Sequence, residues 1–185
     1  MAGDTERFER LAAQLLEISV RPEISIADVP APQRLAPYAL AIAADVAVDG
    51  DDVATGRFVM LHDPAGQEAW DGTFRCVTFV RSAIESEMQS DPLLAEVAWS
   101  WIVEGLEGAG AAFTATSGTV TRVASASFGQ LAETEDSAEI EIRASWTPRD
   151  SDGLISHFNG WLHLIEMASG LTPIAEGVSA LKKRR

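Results

Sequence analysis

The sequence predicts an α+β domain: one antiparallel sheet of about five strands, with its helices mainly on one face. Three observations carry that expectation. Apolar residues recur at helical spacing in three segments, near 4–16, 93–107 and 154–169. Between them, residues 38–48 and 138–147 alternate with period two, and 56–62, 73–81 and 112–127 read as further strands. The links between successive strands are too short for parallel crossovers, except the one that spans a helix. The order is therefore α-β-β-β-α-β-β-α, with residues 1–185 read as a single domain.

The first helix opens at Asp4 or Thr5 as N-cap and buries Phe8, Leu11, Ala12, Leu15 and Leu16, one stripe of i, i+3, i+4, i+7 and i+8 positions. It stops before Arg21-Pro22. Ile24-Ser-Ile26 is a short alternating piece, and Val29-Pro-Ala-Pro32 reads as an extended connector because proline has no N–H for a sheet. The first strand sets Tyr38, Leu40, Ile42, Ala44, Val46 and Val48 against Ala39, Ala41, Ala43 and Ala47, so something must pack closely on its alanine side. Asp49-Gly-Asp-Asp52 turns the chain into the second strand, which ends at His62. A loop with Asp63-Pro-Ala-Gly66 and Trp70 leads to the third strand.

Asp91-Pro92 supplies an N-cap and a first-turn proline for the second helix, which the glycines at 105, 108 and 110 end. Leu94, Val97, Ala98, Trp101 and Ile102 form one apolar stripe of that helix, and Trp99, Val103 and Leu106 form another. A helix apolar on two sides is either sandwiched or part of an interface. The last strand turns Ile140, Ile142, Ala144 and Trp146 inward, and the last helix turns Ile155, Phe158, Trp161, Leu162 and Ile165 inward.

Composition narrows the function classes. There are 14 basic and 28 acidic residues, a net charge of −14, which argues against nucleic acid as a partner because duplex binding rests on Lys and Arg meeting phosphates. The only lysines, Lys182 and Lys183, sit with Arg184 and Arg185 in a basic tail over 182–185, expected to be flexible. Taking that tail away leaves ten arginines against 28 acids, a net charge of −18. A single cysteine, Cys76, in an apolar strand fits a buried thiol and a reducing compartment. With no signal-like start and no apolar run long enough for a membrane span, a cytoplasmic protein is expected.

Motifs for phosphate loops, zinc peptidases, dithiol redox pairs and nucleophile elbows do not occur, so no catalytic residue, metal or cofactor is assigned. His62, beside Asp63 at a strand end, is either a ligand or base or a turn-capping histidine. Ser156, Asn159, His163 and Glu166 share one stripe of the last helix, the pattern of a solvent face. Every strand after the first carries an arginine: Arg57, Arg75, Arg122 and Arg143. On a sheet face left open by the helices they would hold an anion, a carboxylate or a peptide, or else lace a solvated face with cross-strand pairs. Trp70 is either an exposed contact anchor or loop packing.

Two resemblances add to this. The element order, in a small acidic protein, is similar to that of type III secretion chaperones, dimers that wrap an unfolded partner segment. The runs Val29-Pro-Ala-Pro-Gln-Arg-Leu-Ala-Pro-Tyr38, Ala54-Thr-Gly-Arg-Phe58, His62-Asp-Pro-Ala-Gly-Gln-Glu-Ala-Trp-Asp-Gly-Thr-Phe-Arg75, Gly118-Thr-Val-Thr-Arg-Val123 and Glu141-Ile-Arg-Ala-Ser-Trp146 together resemble the actinobacterial domain-of-unknown-function family three thousand, across about residues 5–178. That resemblance implies an actinobacterial cytosolic protein and supplies no catalytic residue.

The expectation is a non-enzymatic protein- or peptide-binding homodimer, adaptor- or chaperone-like, using Arg57, Arg75, Arg122 and Arg143 with His62 and Trp70, and meeting its second copy through Trp99, Val103 and Leu106. The alternative is a small-molecule-binding protein or enzyme, with a pocket near the 62–70 loop and Arg57 or Arg75 as anion clamp.

Overall fold

A computed structural model describes residues 2–133, 136–151 and 153–172. Its elements are α1 (Ala2–Leu16), β1 (Ile24–Asp28), β2 (Tyr38–Val48), β3 (Asp51–Gln67), β4 (Gly72–Ile84), α2 (Leu94–Gly108), β5 (Phe113–Ser125), β6 (Ser137–Pro148) and α3 (Leu154–Ala168). All six strands pair antiparallel in the order β1-β2-β3-β4-β6-β5. The fold class is as expected, with one strand more. Ile24-Ser-Ile26 is the centre of β1, too short to announce itself by alternation but paired in register along β2, with Ile24 opposite Val46 and Asp28 opposite Ile42.

Local chemistry explains the hairpins. Asp49 (φ 53°) and Gly50 (φ 97°) both take positive φ, the two-residue turn whose twist matches a right-handed hairpin. That turn lets β3 begin at Asp51, earlier than the apolar alternation suggests. The β3–β4 hairpin closes through a turn of 3-10 helix over Glu68–Trp70 and Asp71 at φ 55°. α1 begins at Ala2, ahead of Asp4, which lies in its first turn rather than at its cap.

The three helices lie on one face. Leu40, Ile42, Phe58, Met60, Phe74, Val80, Ile140, Ile142 and Trp146 from the sheet meet Phe8 and Leu15 of α1, Ala98, Ile102 and Leu106 of α2, and Phe158, Trp161 and Ile165 of α3. At the centre, Phe58 packs edge-on to Phe158, with ring centroids 5.4 Å apart, and sits 5.5 Å from Trp161. Gly56 makes the approach of α3 possible: a Cβ there would lie 2.6 Å from Ile165 Cδ1. α2 and α3 cross at a second close point, where a Cβ on Gly160 would lie 2.9 Å from the Leu106 Cα. Gly105 belongs to this crossing inside α2, so it is a packing gap and not part of a helix stop.

On the other face a smaller cluster of Ala41, Val59 and Leu61 is covered by Val29, Ala31 and Ala36 of the β1–β2 connector and by Trp70. This is the close packing that the alanine side of β2 demands. Cys76 is fully buried among apolar side chains, and burial pushes its thiol far above the ordinary range, so it stays protonated. Among the described residues, no helix is long and apolar enough to cross a membrane. The basic tail 182–185 lies outside the described residues.

Candidate functional site

Register decides which arginines share a surface. Across β3, β4, β6 and β5 one row runs Arg57, Phe79, Arg143, Thr119, because each is paired with the next. Neighbouring rows on that side carry Val77 with Ser145 and Ser117, and Arg81 with Glu141 and Thr121. The helices leave this face open. The Arg143 guanidinium stands 5.0 Å above the Phe79 ring and 3.8 Å from Glu141, in a mostly exposed position. Arg57 donates to the Pro30 carbonyl at 3.1 Å, tying the β1–β2 connector to the sheet. Arg75 has a different task. Its guanidinium donates to the Ala115 carbonyl and to the hydroxyls of Thr147, Ser117 and Ser145, at 2.6–3.2 Å, which staples β4 across β6 to the bulged start of β5. Burial pulls its affinity for the proton below the ordinary arginine value, yet it stays charged.

Arg122 does not join this face. It pairs with Ile140, whose side chain is buried under the helices, and it donates to the carbonyls of Gln89 and Asp91 at 3.1 and 3.0 Å. It holds the segment that leads into α2. Its place in the open face is taken by Arg81, which the sequence reading passed over. Arg81 is hydrogen-bonded to Glu139, and that bond raises its affinity for the proton. Asp45, Glu139 and Glu141 share the two rows at the Arg81 end of this face, where Asp52 lines the same recess. The central strip of Arg57, Val77, Phe79 and Arg143 is thus cationic and partly apolar. Beside it, Val77, Ser117, Thr119, Arg143 and Ser145 border a shallow groove of about 290 Å³.

His62 points the other way. It pairs with Tyr38 and Phe74 in a row of the helix face, so Arg57 and Arg75 cannot act with it. The expected anion clamp near the 62–70 loop is corrected on that point. His62 does line a cavity of about 230 Å³, but the arginines there are Arg7 and Arg10 of α1. Its Nδ1 donates to the Thr73 carbonyl at 3.0 Å, and its ring stacks on Phe74 with centroids 4.0 Å apart. Trp70 is half-buried against the Ala41 cluster, and its carbonyl accepts from the Thr147 hydroxyl, so it packs the loop and is no free anchor.

The three residues expected at an interface separate. Leu106 is 1% exposed, buried between α2 and α3, and cannot meet a second copy. Trp99 and Val103 are half-exposed, and Trp99 lies over Gly118 of β5. Leu93 and Val97, one turn apart on the other flank of the helix start, are exposed at 58% and 46%. Ile155 also departs from expectation, opening to solvent at the mouth of the His62 cavity. His157, which carried no role in the sequence reading, is fully buried, and its Nδ1 accepts from Trp146 Nε1 at 3.1 Å. Desolvation brings its pKa down to about 4. Among the described residues, no three His, Cys, Asp or Glu side chains gather as metal ligands.

A helix-backed antiparallel sheet with one partly covered face and a cation-bearing strip across it defines an α+β protein. The chain belongs to the family described as "Protein of unknown function (DUF3000)", whose pattern matches residues 4–179. No curated protein and no solved structure matches it.

Proposed function

We propose that this protein is a non-enzymatic, chaperone-like adaptor of an actinobacterial cytoplasm, a homodimer that binds an extended acidic segment of another protein on its open sheet face. The strip of Arg57, Phe79 and Arg143 carries this reading. Guanidinium groups on a partly apolar, flat surface match carboxylates spaced among apolar side chains, and arginine retains free donors beyond its intramolecular bonds. In a chain with twice as many acids as bases, such a strip is a local exception, and charge complementarity draws an acidic segment to it.

The second copy has a better seat at the β5 edge. Phe113–Ser125 contains no Asp or Glu, so antiparallel pairing of β5 with its own copy brings no carboxylates together along the strand, and α2 adds Trp99 and Val103 beside it. The experiment is paired. Light scattering at micromolar concentration is expected to show a dimer; a monomer removes the homodimer. A photo-crosslinking residue at Val77 is expected to capture protein from a lysate, with capture lost in the R57E/R143E double variant. Capture that is indifferent to that double variant overturns the assignment of the face.

A further inference from the structure

We infer that the open face reads a spacing: it selects an extended segment with two carboxylates four residues apart and an apolar side chain midway, laid across the strands instead of along one. This rests on the reading of the face as a seat for an acidic segment, and names the pattern that the seat selects.

Arg57, Arg75, Arg81 and Arg143 share this face, but two of them are already committed. Arg75 gives its donors to the Ala115 carbonyl and to three hydroxyls, and Arg81 is bound to Glu139. Arg57, by contrast, gives one Nη2 hydrogen to the Pro30 carbonyl, and Arg143 makes a long 3.8 Å ion pair with Glu141 besides lying over the Phe79 ring. Each of these two guanidinium groups keeps donors for a carboxylate. The row that joins them therefore sets the pattern.

Strands lie about 4.8 Å apart, and β4 alone separates β3 from β6, so the Cα atoms of Arg57 and Arg143 stand about 10 Å apart with Phe79 midway. In an extended chain, residues i, i+2 and i+4 point to one side and span about 13 Å. Arg57 reaches towards the β1–β2 connector, away from Phe79, which widens the distance between the two charges towards that span. Acids at i and i+4 then meet the two arginines. The side chain at i+2 lands by Phe79, with Val77 in the next row.

Two further facts fix the direction. β3, β4 and β6 are each paired on both sides, so their backbones have no ladder bonds left to give and side chains alone do the recognising. A segment laid along one strand would meet one arginine of the pair, and towards the Arg81 end it would run into Asp45, Glu139 and Glu141. Laid across, it stays within the strip. Because acid, apolar, acid reads the same both ways, the segment enters in either direction.

The test titrates the full chain into short fluorescein-labelled peptides and follows anisotropy. The parent, Gly-Ser-Glu-Thr-Phe-Gln-Asp-Gly, is expected to bind saturably. Gly-Ser-Glu-Thr-Phe-Asp-Gln-Gly has the same composition and charge but turns its second carboxylate off the sheet, and should bind about tenfold more weakly, the loss of one charge-assisted hydrogen bond. The parent with its order reversed should bind within about threefold of it. R57Q and R143Q, at exposed positions, should each weaken the parent about tenfold and erase its advantage over the shifted peptide. Equal affinity of the unmodified protein for parent and shifted peptide, or loss of binding on reversal, overturns the spacing and leaves the acidic-segment reading standing where R57E/R143E still abolishes binding. Absence of saturable binding up to about 1 mM, or binding that R57E/R143E leaves unchanged, overturns both.

Discussion

The two faces of the sheet come from the same strands and the same alternation, but they are built for opposite ends. On the helix face, small residues such as Ala44, Gly56 and Ala144 alternate across the sheet with Phe58 and Trp146, so three helices interlock with it. On the open face, only the corner at Ala41, Val59 and Leu61 is roofed, while Arg57, Val77, Arg81 and Arg143 remain accessible. The first face is made of contacts that cannot be changed singly, because packing at crystal-like density leaves no slack. The second is made of side chains whose loss the fold tolerates, and that tolerance is what a surface needs in order to serve recognition.

Substitutions should separate the faces in order of size. F58A removes the ring that touches Trp146, Phe158 and Trp161, and a loss of about 3–5 kcal/mol is expected in urea unfolding. Acid comes next. Burial holds the folded pKa of His157 at about 4, below the ordinary histidine value of 6.5, so the unfolded chain takes up a proton first as the pH falls. The stability held by neutral His157 is complete above about pH 6.5 and lost on descent towards pH 4, to the extent of roughly 3 kcal/mol. H157Q, which still offers Trp146 an acceptor, should flatten that part of the pH–stability profile. G160A forces a Cβ against the Leu106 backbone and should cost about 1–3 kcal/mol. R57E/R143E should be the mildest, at about 1 kcal/mol or less by thermal melting, since it removes one carbonyl contact, one exposed cation–π pair and one long, exposed ion pair with Glu141. A large destabilisation by this last variant would show that the open face is structural after all.

The comparison also shows what a sequence can disclose. Long periodic segments were legible: β2, β6, α2 and α3 lie within a residue or two of where their apolar spacing puts them. β1 was not, because five residues hold too few alternations to stand out and its identity as a strand comes from β2. The division of His62 from Arg57 was available from parity alone, since residues 58, 60 and 62 face inward and 57 faces out. Arg122 was not open to that argument. A bulge between Thr114 and Ser117 resets β5 against β6, and only the pairing with Ile140 reveals its side. Arg81 shares the parity of Arg75, Val77 and Phe79, so it could have been found by extending the alternation to the strand end. The cavity could not, because Arg7, Arg10 and His62 are joined by how α1 docks, and no local pattern encodes that.

The strand order has a kinetic corollary. β1 to β4 form a meander in which every pairing joins neighbours in sequence, whereas the seam between β4 and β6 brings Ile84 to Ala138 across α2 and β5. Closing so long a loop is entropically slow relative to closing a hairpin. The N-terminal meander and the β5–β6 hairpin should therefore form as separate pieces, with their docking along β4 setting the pace of folding. Arg75, whose guanidinium spans that seam, is then a latch that engages only when the two pieces have met.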